Sequence, residues 1–413
     1  MTALGGAVGD RIAHEVPAAR SAVSRPSVEA ILVGATPPPV NGQSVAFQNL
    51  VDHLPERGVA VEVVDISAPI DEASTVRLWA KRLTRAMRLV SRLLTLSRSN
   101  AGVVYLTAAQ SWPGFIRDSL IVAWARATRR TVVWHLHGGN YGAFYRSLGA
   151  RRQRIVTAVL RRVAALIVLD ERFIRELPDD VIRSRAVVVP NGIPRPDLGS
   201  GPQAKRLPDN GDTPVRILYM SNLVRSKGYL DVLDAVEILT KERGIDVRAD
   251  FCGVFAWVPE EEGQWLGRDV AAAQFVEAIE RKGLDGVVEW RRLTTGADKA
   301  RELRDAHFLV LPTAYPNEGQ PLAVIEGLAY GCVVLATDYR GIPALLDGGV
   351  AGRFVEHGDP RSIADRVEEL CNDPAAYADA SRRAHEHFLA HYQLDRHLDA
   401  VAEIFVKVAG RGA

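Results

Sequence analysis

The stretch Asn317 to Glu326 (NEGQPLAVIE) places two glutamates around a predicted helix start. Glu318 lies in a loop after an apolar strand, Glu326 lies about one turn into the helix, and Pro321 is expected in the first turn. A helix start offers free N–H groups and a partial positive charge, which suit a phosphate. A carboxylate on either side can accept hydrogen bonds from sugar hydroxyls, a hexose at one end and a ribose at the other. The pattern therefore indicates a sugar-phosphate site.

A second stretch with chemical potential is Ser221 to Gly228 (SNLVRSKG), directly after the apolar run Ile217 to Met220. Lys227 can neutralise a diphosphate if this strand end and the first site share one cleft. The alternative is a solvated lysine at a helix start.

The third stretch is His135 to Asn140 (HLHGGN), at the end of an apolar run. Its two glycines allow the backbone to approach a ligand closely. His137 is the stronger candidate for a ligand contact, and His135 could instead be a buried strand residue. A zinc site is disfavoured because H-x-H has no third ligand nearby.

These stretches follow strands of two similar α/β halves. Each predicted strand is rich in Val, Ile and Leu, as strands buried on both faces of a parallel sheet are. Those of the first half are Ala30–Ala35, Val59–Ile66, Val103–Thr107, Thr131–His137, Ala165–Leu169 and Ala186–Pro190. Those of the second half are Ile217–Met220, Val247–Val254, Val287–Trp290, His307–Pro312 and Val333–Thr337. Glu62 interrupts one strand, which is therefore expected near a sheet edge.

The alternation predicts two doubly wound α/β domains that face a central cleft. Residues 194–214 are rich in Pro, Gly and Asp and are interpreted as a linker. The expected division is a disordered extension (1–28), an N-terminal domain (29–193), the linker, a C-terminal domain (215–380) and C-terminal helices (381–413). Ligands of such sheets bind beyond the carboxyl ends of the strands, here in the cleft.

The loop Gly34 to Ser44 (GATPPPVNGQS) is not a dinucleotide fingerprint, because G-x-G-x-x-G is absent and three prolines occupy the turn. Asp65, at the end of the second strand, is therefore weak support for NAD. The loop either closes over a bound ligand or is a rigid surface loop.

Bulk properties exclude several classes of protein. A chain of 413 residues is too long to fold around a single hydrophobic core, so two domains are expected. Its content of 47% hydrophobic and 24% charged residues is ordinary for a globular protein. The net charge of +1 gives no global attraction to nucleic acid or membrane. Cys252, Cys332 and Cys371 lie far apart, which fits a reducing compartment. No signal peptide or membrane-spanning run is recognised, so a cytoplasmic location is expected.

Residues Arg77 to Arg98 contain seven basic residues and no acid. Lys81, Arg85, Arg88 and Arg92 fall on one predicted helix face, while Leu83, Met87, Val90, Leu93 and Leu94 fall on the other. Six more arginines lie within Arg146–Arg162. One interpretation is a domain that rests on anionic lipid at the inner face of the plasma membrane. The other is an outer helix whose apolar face packs on the sheet. Nucleic acid is disfavoured because no aromatic residues interleave the stripe.

The stretch from Ala306 to Leu346 resembles the family 4 retaining glycosyltransferases of GT-B fold, and the resemblance extends over roughly residues 30 to 400. It carries their Glu-x7-Glu signature and a Gly-Ile-Pro loop. The resemblance implies a metal-independent hexosyltransferase without a cofactor, which retains the anomeric configuration by front-face displacement. The expected substrates are a UDP- or GDP-sugar, bound by the C-terminal domain, and a glycan or lipid-linked acceptor, bound by the N-terminal domain. The resemblance also implies that the helices of residues 381–413 pack back toward the N-terminal domain.

The resemblance also implies residue roles. Glu318 and His137 would contact the transferred sugar, Glu326 the ribose hydroxyls, and Lys227 the leaving diphosphate. The remaining donor-binding candidates lie in the stretches that resemble the donor-binding loops of the family. They are Gly42, Asn222, Arg225, Gly319, Gln320 and Leu322. Asn191 and Gly192 match a pattern at the interdomain edge that is mainly structural.

Asn222 departs from the family pattern, which has arginine at this position. Asn222 carries no charge, so Lys227 is expected to neutralise more of the diphosphate charge. Arg225 could partly replace the missing arginine. Two rivals therefore stay open: an epimerase that interconverts nucleotide sugars without an acceptor, and a non-catalytic sugar- or lipid-binding relative. The sequence does not specify the nucleotide base, the sugar or the acceptor.

Overall fold

The computed structural model describes residues 27–38, 40–67, 75–198, 204–208, 213–256 and 267–410. Residues 1–26 of the expected N-terminal extension and much of the linker lie outside this set. So do the side chains of Lys81, Leu83 and Arg85. Ser27 already belongs to the folded domain, because its N–H donates to the carbonyl of Gly58 over 2.8 Å.

The N-terminal domain is built on six parallel strands, as the apolar runs predict. The strands are β1 (Val28–Gly34), β2 (Val59–Asp65), β3 (Val103–Thr107), β4 (Thr131–Leu136), β5 (Ala165–Val168) and β6 (Ala186–Val188). They are arranged in the order β2-β1-β3-β4-β5-β6. Glu62 lies on the edge strand β2, as expected, and its carboxylate accepts a hydrogen bond from the Ser99 hydroxyl. The central strands β3 and β5 are buried along their whole length.

Within the described residues, the N-terminal half contributes seven α-helices. They are α1 (Gly42–His53), α2 (Thr75–Leu96), α3 (Trp112–Ala127), α4 (Tyr141–Ser147), α5 (Ala150–Leu160), α6 (Glu171–Arg175) and α7 (Asp180–Arg183). Leu93 of α2, Phe115 of α3 and Val156 of α5 share one core cluster, so these three helices pack on the same face of the sheet. Phe47 of α1 belongs to the cluster on the opposite face.

The C-terminal domain repeats the same plan. Its strands are β7 (Val215–Met220), β8 (Val247–Cys252), β9 (Val288–Arg292), β10 (Phe308–Leu311), β11 (Val333–Ala336) and β12 (Gly352–Phe354), in the order β12-β11-β10-β7-β8-β9. All pairs are parallel. The three-residue edge strand β12 was not among the predicted strands, because its single apolar residue gives no periodic signal. Two doubly wound domains are thus confirmed.

The helices of this half are α8 (Tyr229–Lys241), α9 (Arg268–Arg281), α10 (Gly296–Asp305), α11 (Leu322–Ala329), α12 (Ile342–Leu345), α13 (Pro360–Asn372), α14 (Pro374–His391) and α15 (Leu394–Ala409). Pro321 is the N-cap of α11 and precedes the first turn in which it was expected. Within the described ranges, no helix combines the length and apolar composition needed to cross a bilayer.

The final helix α15 packs against the N-terminal sheet. Its residues Leu398 and Phe405 are buried in one cluster with Phe47 of α1, and the Phe405 ring lies 5.9 Å from that of Tyr105. The crossing is fixed by the backbone, since the Leu394 N–H donates to the carbonyl of Ile193 over 2.8 Å. The C-terminal end of the chain therefore ties the two domains together.

The apolar face predicted for α2 only partly packs on the sheet, so the packing interpretation is wrong for most of its described members. Leu93 and Leu96 are buried, whereas Met87, Val90 and Leu94 are between 54% and 64% exposed. The buried face is therefore rotated about the helix axis relative to the predicted one. Alternation of leucine with basic residues in this helix leaves apolar side chains on two faces, and only one of them meets the sheet.

Candidate active site

The pair Lys227 and Glu318 forms the centre of the candidate site. The Lys227 ammonium lies 3.1 Å from a carboxylate oxygen of Glu318, and the two side chains are 15% and 8% exposed. The same oxygen accepts a hydrogen bond from the Thr313 hydroxyl over 3.2 Å. The ammonium also lies 5.0 Å from the centre of the Tyr315 ring. A buried carboxylate that has both a cation and a hydroxyl donor is held in one orientation.

The local backbone joins the two loops that carry this pair. Ala314 N–H donates to the carbonyl of Ser226 over 2.7 Å. Gly228 follows the 3-10 turn Arg225–Lys227 with φ of 74°, a conformation that favours glycine, and a Cβ there would lie 2.5 Å from the carbonyl oxygen of Pro312. Glycine at this position therefore lets the Lys227 turn pack directly on the strand end that leads to Glu318.

The structure places the other two candidates of this loop away from Glu318. Asn222 is half-buried at the end of β7, where its carbonyl accepts a hydrogen bond from the Tyr219 hydroxyl over 3.2 Å. Arg225 is exposed at the start of the 3-10 turn. Of the three residues predicted from this stretch, only Lys227 contacts Glu318.

The loop that carries Glu318 contacts the His137 loop of the N-terminal domain directly. Gly139 N–H donates to the carbonyl of Glu318 over 3.1 Å, and the Asn140 side chain donates to that of Asn317 over 3.1 Å. A Cβ atom on Gly319 would lie 2.0 Å from the carbonyl oxygen of His137. The predicted site residues of the two domains therefore meet, and the contact depends on a glycine.

Gln320 serves this interdomain contact with its side chain. Its amide oxygen accepts the Asn191 N–H over 2.9 Å, and its amide nitrogen donates to the carbonyl of Leu169 over 2.8 Å. Because both ends of the amide are occupied by the N-terminal domain, a ligand contact through this side chain would require breaking these bonds. Asn191 lies at the interdomain edge, where the sequence pattern predicts a structural role.

His137 lies in a buried cluster of aromatic side chains. The Tyr105 hydroxyl lies 3.2 Å from His137 Nε2 and 2.6 Å from His135 Nδ1, and the two histidine rings stack at 3.8 Å. Burial, with a smaller contribution from His397 of α15, lowers the pKa of His137 to about 3. Burial likewise lowers the pKa of His135. His137 is therefore neutral at physiological pH, and its ring nitrogens can donate or accept hydrogen bonds.

His137 Nδ1 is buried and has no hydrogen-bond partner within the described part of the chain. An unpaired buried polar atom costs free energy unless a ligand or a water molecule satisfies it. His135 lies within β4 and is fully buried, which matches the alternative of a strand histidine.

Glu326 pairs with a residue that the sequence analysis did not identify. Its carboxylate contacts the ammonium of Lys299 on α10. Burial raises the pKa of Glu326, and the nearby Lys299 ammonium opposes that rise. Helix α11 begins at Leu322, whose side chain would lie 3.8 Å from a Cβ atom on Gly42, the first residue of α1. The helices α1 and α11 therefore begin next to each other, so their partial positive charges add.

Asp65 has a local structural role. Its carboxylate accepts hydrogen bonds from the N–H of Ser67 over 2.8 Å and from the N–H of Thr36 over 3.2 Å. Burial alone would raise the pKa of Asp65, but the hydrogen bonds outweigh this effect and the pKa is lowered. The carboxylate thus holds the end of β2 against the loop after β1. In the described residues, no three His, Cys, Asp or Glu side chains converge as a metal site.

Several residues that contact the predicted site residues were not identifiable from any sequence pattern. Thr313, Tyr105 and Lys299 each contact a predicted site residue, but they lie 5, 32 and 27 positions away from it. Arg340 bridges the domains, donating to the Asn140 side chain over 3.2 Å and lying 3.5 Å from Glu176. Only the neighbourhood of β3 and β4 could have been anticipated, from the strand order of a doubly wound sheet.

Two family models match the chain, one on each domain. Residues 40–195 match "Glycosyltransferase Family 4", and residues 203–387 match "Glycosyl transferases group 1". The solved structure of HepE from Anabaena in complex with UDP superposes with a TM-score of 0.66, covering 91% of this chain and 98% of that one. At 14% identity this likeness concerns the fold.

Curated relatives match over a shorter segment. WcaL of Escherichia coli, provisionally named a colanic acid biosynthesis glycosyltransferase, is 28% identical over 179 residues, 42% of this chain and 40% of its own length. The D-inositol 3-phosphate glycosyltransferase of Corynebacterium kroppenstedtii is 27% identical over 158 residues, 38% of this chain and 33% of that protein. The matched segment is thus less than half of either relative. With both domain models matched and the two-sheet architecture in place, the chain belongs to the family 4 glycosyltransferases (glycosyl transferases group 1) and has the GT-B fold.

Proposed function

We propose that the protein is a retaining glycosyltransferase that moves a hexose-type sugar from a UDP- or GDP-sugar to a glycan or lipid-linked acceptor. The observation that carries the proposal is the contact between the Lys227–Glu318 pair and the His137 loop across the two domains. This contact assembles a cation, a carboxylate and a neutral imidazole at the carboxyl ends of both sheets, where ligands of doubly wound domains bind.

The proposed roles follow from charge and position. Lys227 and the N-terminus of α11 stabilise the leaving diphosphate, with the N–H of Gly42 as a further contact. Glu318 and His137 bind the transferred sugar, and Glu326 accepts hydrogen bonds from the ribose hydroxyls. The acceptor hydroxyl attacks from the face on which the nucleotide leaves, and the departing phosphate oxygen takes its proton. Because Lys227 and the helix start supply the positive charge, we propose that neither a metal nor a cofactor is needed.

The names of related proteins support the same assignment. Solved structures of HepE are described in complex with UDP and with UDP-glucose. WcaL and the amylovoran biosynthesis glycosyltransferase of Erwinia amylovora carry names from polysaccharide assembly. We accordingly place the acceptor in surface polysaccharide or glycolipid assembly.

A panel of nucleotide sugars tests the donor site. UDP-, GDP-, ADP- and dTDP-sugars are added to the wild type and to Lys227→Ala, and thermal unfolding is followed. A ligand at about 100 times its Kd stabilises the fold by roughly 2.7 kcal/mol, so the true donor class raises Tm clearly. The shift should be smaller in Lys227→Ala. If no nucleotide sugar raises Tm at millimolar concentration, the proposed function is wrong.

The reaction itself separates transfer from the rival activities. The donor identified by unfolding is incubated with acceptor fractions in the presence of EDTA, and NMR then gives the anomeric configuration of the product. Transfer with retention in EDTA is expected. Interconversion of the free nucleotide sugar without an acceptor would instead indicate an epimerase, and binding without turnover a non-catalytic relative.

We also propose that the outer face of the N-terminal domain contacts an anionic membrane at the cytoplasmic side. The helices α2, α3 and α5 pack side by side, since the Trp124 indole donates to the Ser97 hydroxyl over 3.0 Å and the Arg152 guanidinium lies 4.7 Å from the Trp112 ring centre. Their exposed apolar residues are Met87, Val90, Leu94, Ile116, Leu120 and Ile155. Their exposed basic residues include Arg88, Arg92, Arg151, Arg152 and Arg154. Apolar side chains beside arginines fit the boundary of an anionic bilayer.

Vesicle binding tests this surface. We expect the wild type to sediment with phosphatidylglycerol vesicles and not with phosphatidylcholine vesicles, because each near-surface cation contributes about 1 kcal/mol only on anionic lipid. Replacing Met87, Val90 and Leu94 together by glutamine should lower the bound fraction about tenfold or more, as it removes the inserted apolar area. The matched control replaces Val270 and Val276, which are exposed on α9 of the other domain, by glutamine. Equal sedimentation of both variants would contradict the proposal.

A further inference from the structure

The ion pair between Lys299 and Glu326 combines a buried carboxylate with a lysine from another helix. Glu326 lies on α11 and is 15% exposed, whereas Lys299 comes from the first half of α10 and is 32% exposed. The two residues are 27 positions apart in the sequence.

An ion pair of this kind can simply stabilise the packing of two helices. Most exposed pairs contribute only about 0–1 kcal/mol to the free energy of unfolding. A buried carboxylate is costly, however, unless its charge is compensated. Apolar packing at Glu326 would serve the α10–α11 contact at lower cost, so the retained charge suggests a ligand.

The two lysines also balance the charges of the candidate site. Lys227 pairs with Glu318 over 3.1 Å, and Lys299 pairs with Glu326 at the other side of the α11 start. A nucleoside diphosphate brings further negative charge to this helix start. Two uncompensated glutamates would repel it, because like charges within a few ångströms are strongly unfavourable in a partly buried site. One lysine for each glutamate removes that repulsion.

We infer that Lys299 is a positioning residue for nucleotide binding, which holds Glu326 as an oriented carboxylate for the ribose hydroxyls and offsets its charge beside the diphosphate. This inference rests on the proposed function, since it assigns the ribose to Glu326. It adds a residue that is outside the glutamate signature and comes from a different helix.

Few other charged groups surround Glu326 in the described residues. On α11 the neighbour is Tyr330, whose pKa burial raises, so it stays neutral at physiological pH. On α10 Arg304 acts on Tyr330. The Lys299 ammonium is the cation in direct contact with the carboxylate. Without it, the pKa of Glu326 rises further, and the carboxylate is lost as the pH falls through that raised pKa.

The test is the affinity for UDP and GDP, measured by calorimetry between about pH 5.5 and pH 8. The proteins compared are the wild type, Lys299→Met, Lys299→Arg and the control Lys241→Met. Lys241 also pairs with a glutamate, Glu237, over 3.2 Å, but on the surface of α8. In Lys299→Met we expect Kd to rise about tenfold at the acid end, where protonation of Glu326 removes the charged acceptor of the ribose hydroxyls. The rise should be smaller at the alkaline end, where only the uncompensated charge beside the diphosphate opposes binding. Lys299→Arg should restore most of the affinity, and Lys241→Met should match the wild type.

The outcomes distinguish this inference from the proposed function. If the wild type binds nucleotide and Lys299→Met binds it with equal affinity and the same pH profile, Lys299 is only a structural partner and the inference fails alone. A loss that is equal at every pH, and equal in Lys299→Arg, would also overturn it, because that pattern indicates local damage. Failure of the wild type to bind UDP or GDP would overturn both.

Discussion

Replacing Lys227 by methionine is expected to lower kcat by about 10²–10³-fold, the usual cost of removing one preorganised charge stabiliser. The effect should be at the upper end of this range, because Asn222 supplies no charge where the family pattern has arginine. Lys227 and the N-terminus of α11 then stabilise the negative charge of the leaving diphosphate without a further cation from Asn222. The measurement is the rate of sugar transfer at saturating donor.

The same substitution also tests the energetics of the pair. Glu318 is buried, so loss of the Lys227 ammonium leaves an uncompensated carboxylate and should lower the free energy of unfolding by about 3 kcal/mol. Adding Glu318→Gln removes that charge and keeps an oxygen to accept the Thr313 hydroxyl. The double variant should therefore regain most of the stability in urea denaturation, yet transfer sugar no faster than the single variant.

The control for both measurements is Lys282→Met. Lys282 pairs with Asp234 over 2.8 Å on the outer helices of the same domain. Its loss should change the free energy of unfolding by no more than about 1 kcal/mol, as for other exposed pairs, and leave kcat unaltered. A Lys227→Met enzyme that keeps kcat within a factor of ten of the wild type would show that the diphosphate charge is stabilised elsewhere.

The architecture could be predicted from the sequence because buried parallel strands have a simple signal. Val103–Thr107 was predicted with its observed bounds, since every residue of it is buried. Most other predicted strands extend one or two residues too far, for example to Pro312 where β10 ends at Leu311. Strand ends are set by where the neighbouring strand stops pairing, and this information is not local.

The sequence predicted those site residues that lie in loops directly after a strand. Glu318, Lys227 and His137 were named from their loops, and the structure brings these loops together. Gln320 was assigned to the donor, but its amide bonds to the N-terminal domain. Whether a polar side chain faces a ligand or the other domain depends on the packing of two units that are distant in sequence, so local patterns cannot decide it.

The α2 helix shows the same limit for packing. The sequence predicted a single apolar face, but a helical wheel gives only relative angles. The sheet selects the face that is buried, and here it selects Leu93 and Leu96 and leaves Met87 exposed. A second apolar face at the surface then becomes a feature that needs a functional explanation.

Gly319→Ala is expected to lower kcat/KM by about 100-fold, because a displacement of roughly 1 Å at a reacting centre costs that much. The added Cβ would lie 2.0 Å from the carbonyl oxygen of His137, so the two loops must separate. Each domain keeps its own core, and UDP should still raise Tm through Lys227 and Glu326 of the C-terminal domain. Loss of transfer with retained nucleotide binding would identify the interdomain contact, rather than the donor site, as the damaged element. The control is Gly102→Ala, whose Cβ would meet no atom within 4 Å and should leave the rate unchanged. Wild-type turnover in Gly319→Ala would mean that catalysis does not depend on the contact of these two loops.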